Sequence, residues 1–159
     1  MKIMKKVLLL LLAVSLTMTS CKKEETEEQP ETTVGSGKIT LSLDGGDLVD
    51  FPIHSASSMG GKIYLNGING NKELTIIVTD PNLGPGTYTN DELGISYSEN
   101  SLAVFDDVTN ARNEEYVITE HNQSSHHITG SYQLTFNDNN TGNPRTAQGT
   151  FDVTYVVIN

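Results

Sequence analysis

The chain has no tryptophan, one cysteine and half as many basic as acidic residues, ten against twenty. Each shortage removes a class of protein. A single thiol forms no disulfide within the chain, so the folded part must be stabilised by burial alone. A formal net charge of -10 speaks against a phosphate-binding surface, and nucleic acid is not an expected partner. Charged residues make up only 19%, and no stretch carries a sustained helical stripe, which separates the sequence from coiled coils and from highly charged disordered chains. No apolar run reaches the roughly 20 residues that cross a bilayer as a helix. At 159 residues there is room for about one ordinary domain.

The first twenty residues differ from the rest. Lys2, Lys5 and Lys6 precede the apolar run VLLLLLAV at 7–14, and Ser15, Thr17, Thr19 and Ser20 lead to Cys21. A basic start, a short apolar stretch and small residues before a cleavage point predict a signal peptide over 1–20. Its removal leaves seven basic and twenty acidic residues, a net charge of -13. Cys21 falls directly after the apolar region where a cleavage site belongs, and the polar sequence KKEETEEQPE that follows offers no core to bury it. Residues 21–37 are expected to form the cysteine and a flexible acidic linker, since 22–37 has Val34 as its one aliphatic residue and ends in Gly-Ser-Gly. Such a linker spans about 20–24 Å on average and about 50 Å when fully extended.

The placement of Cys21 resembles the lipobox of bacterial lipoproteins, with Thr19 and Ser20 at the small positions and Met18 where leucine is usual. Cys21-Lys22-Lys23-Glu24-Glu25 resembles the lysine-then-acidic signal that sends lipoproteins of Bacteroidota to the outer face of the outer membrane. The resemblance implies that Cys21 becomes the mature N-terminus and that the membrane is a partner through an acylated anchor. Each chain would insert at roughly 0.8 kcal/mol per buried CH₂. It further implies an outer-membrane location with surface display, the periplasmic face being the alternative.

Residues 38–159 are expected to form a single β domain, because their hydrophobic period is two. Ile39, Leu41 and Leu43 alternate with Thr40 and Ser42; Leu74, Ile76 and Val78 alternate with Thr75, Ile77 and Thr79; Ile128, Tyr132, Leu134 and Phe136 alternate with polar residues, and Phe151, Val153, Tyr155 and Val157 continue the habit. Further strands are expected over 48–55, 63–68, 94–98, 102–105 and 116–121. Turn-forming clusters separate them, among them Asp44-Gly45-Gly46, Gly60-Gly61 and the Asn-rich 137–144. About nine strands of this spacing predict an all-β fold, an antiparallel β-sandwich or a barrel-like meander, with little helix. Residues 106–115 are the best helical candidate, for a turn or two, and the last two strands, about 126–137 and 146–158, should form a terminal hairpin.

A short pattern recurs at Gly86-Thr87-Tyr88, Gly130-Ser131-Tyr132 and Gly149-Thr150-Phe151. Glycine and ring share a strand face, so the aromatic can lean over the space left by the missing side chain. Together with the Cys21 to Glu25 signal, these segments resemble the small single-domain β-sandwich lipoproteins of Bacteroidota. That resemblance implies a location and a fold and transfers no activity.

Candidate chemistry is sparse. His121, His126 and His127, with Glu120 beside them, are the densest set of potential metal ligands, but neighbours on a strand point to opposite faces, so His126 and His127 converge on one ion only if the backbone is irregular there. The loop 137–142 has too little charge for a calcium loop, with Gln148 where a bidentate glutamate belongs. No Gly-x-Ser-x-Gly and no glycine-rich phosphate loop is present. The acidic pairs Asp106-Asp107 and Glu114-Glu115 read as solvated loop charge. The sequence therefore favours a non-catalytic, lipid-anchored binding or scaffolding domain with no expected cofactor, whose partner is an envelope protein or a glycan. Tyr64, Tyr88, Tyr97 and Tyr116 are the candidate sugar-stacking rings. The alternative is a small envelope hydrolase using carboxylates or the histidine cluster.

Overall fold

Alternating burial builds one continuous sheet. The computed structural model describes residues 34–106 and 111–158. Its strands are β1 (Ser36–Leu43), β2 (Val49–Met59), β3 (Lys62–Asn69), β4 (Lys72–Val78), β5 (Gly86–Tyr88), β6 (Leu93–Glu99), β7 (Leu102–Asp106), β8 (Ala111–Asn122), β9 (His127–Asn137), β10 (Pro144–Thr154) and β11 (Val156–Val157). They pair in the order β5-β8-β9-β10-β1-β2-β3-β4-β6-β7, every neighbour antiparallel, and β11 joins β2 in parallel. The chain is all-β, with no helix among the described residues, and the sheet curls strongly into a half-barrel. Of the two architectures expected, the barrel-like meander forms.

The curl has local causes. β2 pairs β1 through its first half, Val49 to Pro52, and β3 through its second, with a register shift between Ile53 and Ser55. Opposite this corner the Gly67 backbone packs against Phe51 so closely that a Cβ would sit 2.8 Å from the Phe51 Cβ. A bulge and a glycine at one point bend a sheet sharply. Further shifts lie in β8, at Arg112/Glu115 and at Ile118/Glu120.

The concave side is the core. Ile39, Phe51, Leu65, Leu74, Ile76, Phe105, Ile128 and Phe136 are all at most 1% exposed. Burying each such side chain stabilises the fold by roughly 1.5–3 kcal/mol. A chain of rings crosses the core. Phe51 meets Tyr97 edge-on at 6.0 Å, Tyr97 lies 5.8 Å from Phe105, and Phe105 lies 4.4 Å from Phe136. This links β2, β6, β7 and β9, and the Asn139 N–H donates to the Val104 carbonyl at 2.9 Å, tying β7 to the loop after β9.

Several boundaries differ from expectation. The Gly-Ser-Gly segment assigned to the linker belongs to the domain: β1 begins at Ser36, and Cβ atoms on Gly35 or Gly37 would strike the carbonyls of Thr154 and Asp152. These glycines permit close approach. Of the segment 106–115, residues 111–115 are strand, Asp106 ends β7, and 107–110 lie outside the described residues. The terminal hairpin forms, with Phe136 opposite Arg145 and His127 opposite Thr154, but its second strand stops at Thr154 and Val157 is 47% exposed. Residues 1–20, expected to be a signal peptide, Cys21, and residues 22–33 of the expected linker also lie outside the described residues.

Candidate functional site

The histidines do not gather. His121 Nδ1 is 2.6 Å from the Leu83 carbonyl, and its Nε2 is 2.9 Å from the Tyr155 hydroxyl. A carbonyl only accepts, so the proton sits on Nδ1, and in the neutral ring Nε2 accepts from Tyr155. The lone pair a metal would need is thereby engaged. His126 sits in the β8–β9 turn with φ of 53° and places its ring 5.5 Å from that of Tyr155. Burial raises the Tyr155 hydroxyl above its ordinary range. His127 leaves on the other face, where its Nε2 donates to Asp152 at 2.8 Å. The three rings thus serve as hairpin packing and a cross-strand pair, and among the described residues no group of three His, Cys, Asp or Glu side chains assembles.

The tyrosines divide by strand parity. Tyr97 and Tyr116 face the core at 2% and 0% exposure and present no ring to solvent. Desolvation, reinforced by the hydrogen bond to Glu99, raises the Tyr97 hydroxyl. Tyr64 and Tyr88 are half-buried on strands far apart in the sheet order. Tyr88 folds back over Gly86 and donates to the Gly84 carbonyl at 2.7 Å. The four candidate rings therefore make no common platform.

Two carboxylates outside the acidic pairs, Asp138 and Asp44, tie the fold together. Asp138 accepts from the N–H groups of Asn140 and Thr141 through one oxygen and from Arg145 through the other, while Asp44 accepts from Arg145 at 2.7 Å and from the Thr146 N–H at 2.8 Å. Burial would raise the Asp138 carboxyl, but these donors outweigh it and hold it below the ordinary carboxylate range. The Thr146 N–H and then Arg145 do the same for Asp44. Glu114 and Glu115 lie within a strand, at a bulge where Asn113 has φ of 53°; Glu115 is exposed, whereas Glu114 Oε1 is buried without a hydrogen-bond partner among the described residues.

A further polar surface was not singled out from the sequence. On the convex side of β8, β9 and β10, an open groove of about 320 Å³ runs across the strands. Register aligns Glu115, Gln133 and Gln148 in one cross-strand row and Val117, Ser131 and Thr150 in the next. Exposed Leu48, at 60%, closes one side. The amides of Gln133 and Gln148 form no side-chain hydrogen bond within the described chain and face solvent. Beneath them the floor is cross-linked by hydrogen bonds. The Tyr132 ring crosses Gly149 on the neighbouring strand and donates to the Thr40 carbonyl at 2.6 Å, while the Thr40 hydroxyl accepts from the Thr150 N–H at 2.8 Å. Phe151 likewise covers Gly130, its partner across the ladder. Compared with known proteins, the chain matches no family model, no curated protein and no solved structure.

Proposed function

We propose that this is a lipid-anchored protein of the cell envelope whose half-barrel is a non-catalytic binding domain for a neutral glycan, held in the convex groove of β8, β9 and β10. The observation that carries the reading is the pair of adjacent rows, Glu115-Gln133-Gln148 and Val117-Ser131-Thr150. Planar amides, hydroxyls and one carboxylate can donate to and accept from sugar hydroxyls, and Val117 and Leu48 offer apolar contact to the C–H faces of a ring. Neighbouring strands stand roughly 4.8 Å apart and successive outward residues roughly 7 Å apart, a spacing that suits a linear chain of rings. One carboxylate among amides and hydroxyls favours an uncharged ligand over an acidic one.

The anchor is supported by the signal-like 1–20 and the lipobox-like setting of Cys21, and outer-membrane display by Lys22 to Glu25. The hydrolase alternative has less support, since His121 and His127 are engaged apart from each other and Asp44 and Asp138 are tied to Arg145. Calorimetric titration of the mature chain with neutral hexose and N-acetylhexosamine oligomers tests the groove. The parent should bind one of these series, and Gln133→Ala with Gln148→Ala should weaken binding at least tenfold. Equal affinity in parent and double variant would remove the groove from the reading.

A further inference from the structure

Among the described residues six large apolar side chains are exposed, and four of them lie at one end of the half-barrel. Val157 pairs with Ser58, the Ile158 N–H donates to the Ser58 carbonyl at 2.9 Å, and Met59 follows directly. Val34 precedes Gly35, whose backbone is pressed against Ala56 and the Thr154 carbonyl. Exposures are 58% for Val34, 52% for Met59, 47% for Val157 and 51% for Ile158. The other two, Leu48 and Leu102, stand singly near the turns at the opposite end, beside the Leu41/Val49 and Glu99/Leu102 pairs.

The two segments that carry most of the patch lack carboxylates. Segments 55–62 and 153–158 contain no carboxylate in a chain that has twenty Asp and Glu, and Lys62 stands opposite Met59. The acidic residues around this end are Asp152 on β10, opposite Lys38 and bonded to His127, Glu120 on β8, and Asp80, Asp91 and Glu92 on the 79–92 connection, which leaves from β4, two strands away from β2.

We infer that this end faces the membrane, and that Val34, Met59, Val157 and Ile158 rest in the lipid surface; the inference depends on the anchor read at Cys21. The chain enters the domain here, at Val34, and twelve residues separate Val34 from Cys21. Thirteen steps of no more than about 3.6 Å keep this end within about 47 Å of an anchored cysteine. A tether of that length gives the patch an effective concentration near the surface on the order of millimolar, so four half-exposed side chains suffice for contact that they would not sustain alone. A second copy is a poorer occupant. A stable protein interface buries roughly 1,200 Å² or more with complementary shape. Lipid requires neither shape nor register.

The absence of tryptophan makes the test specific. Full-length lipidated protein carrying Val157→Trp or Ile158→Trp, with Leu48→Trp and Leu102→Trp as counterparts, is reconstituted into phosphatidylethanolamine–phosphatidylglycerol vesicles with plain or brominated acyl chains. Brominated lipid should quench the tryptophans at 157 and 158 at least twofold with a blue shift, and leave those at 48 and 102 unchanged. Equal emission at all four positions, with the protein floating with the vesicles, would overturn the orientation alone. A blue shift at 157 that needs no lipid and grows with protein concentration would replace lipid by a second copy. Protein that fails to float at all would overturn the anchor and this inference with it.

Discussion

At Gly130 and Gly149 a methyl group has nowhere to go. A Cβ on Gly130 would strike the Val117 carbonyl and the Phe151 ring, and one on Gly149 would strike the Thr40 carbonyl and the Tyr132 hydroxyl. Gly130→Ala and Gly149→Ala should each cost about 1–3 kcal/mol by urea denaturation, because backbone as well as a ring must shift. Gly84→Ala, in open space without a positive φ, should stay within about 0.5 kcal/mol of the parent. The repeated glycine-hydroxyl-aromatic pattern was legible in the sequence. That the Tyr132 and Phe151 rings each cover the glycine of the neighbouring strand was not, because register is decided by pairing rather than by local order. Tyrosine burial was more legible than the glycan expectation allowed. Tyr97 shares the parity of Ile95 and Tyr116 that of Ile118, which places both rings inward, while Tyr64 alternates with Ile63 and Leu65.

Between elements, the strongest polar link is Arg145 of β10, which joins Asp44 in the β1–β2 turn to Asp138 in the β9–β10 loop. Both carboxyls are held below their ordinary values. The unfolded chain therefore binds more protons near pH 4, so the link stabilises the fold at neutral pH. That contribution declines as pH falls through the folded values. Arg145→Met should lower stability at pH 7 by about 1–2 kcal/mol, discounted for the partial exposure of Arg145 and Asp44, and its urea midpoint should approach that of the parent as both are taken towards about pH 2. A gap that persists unchanged at low pH would show that packing, not charge, makes the link. Long alternating strands such as β4 and β9 were readable as elements. The start of β8 was hidden because Asn113, with φ of 53°, and the bulge beside it interrupt the period of two, and β5 is too short to show one.

For the whole molecule, the meander curls back because β10, late in the sequence, pairs with β1. Period and turn spacing predicted an all-β fold, either a sandwich or a barrel-like meander, but only this pairing decides that one curled sheet forms. It also creates the groove. Glu115, Gln133 and Gln148 look like ordinary outward polar residues in sequence and become one surface only when three strands are in register. The histidine cluster shows the reverse: close in sequence, its members part because His127 lies on the other face from His121 and His126. The central claim is that the convex groove is a glycan-binding face. Its most direct measurement is amide-shift mapping of the isotopically labelled mature chain during titration with neutral hexose and N-acetylhexosamine oligomers. Saturable shifts confined to 115–117, 131–133 and 148–150 are expected; no shifts with either series, or shifts centred on Tyr155 and the histidines, would contradict it.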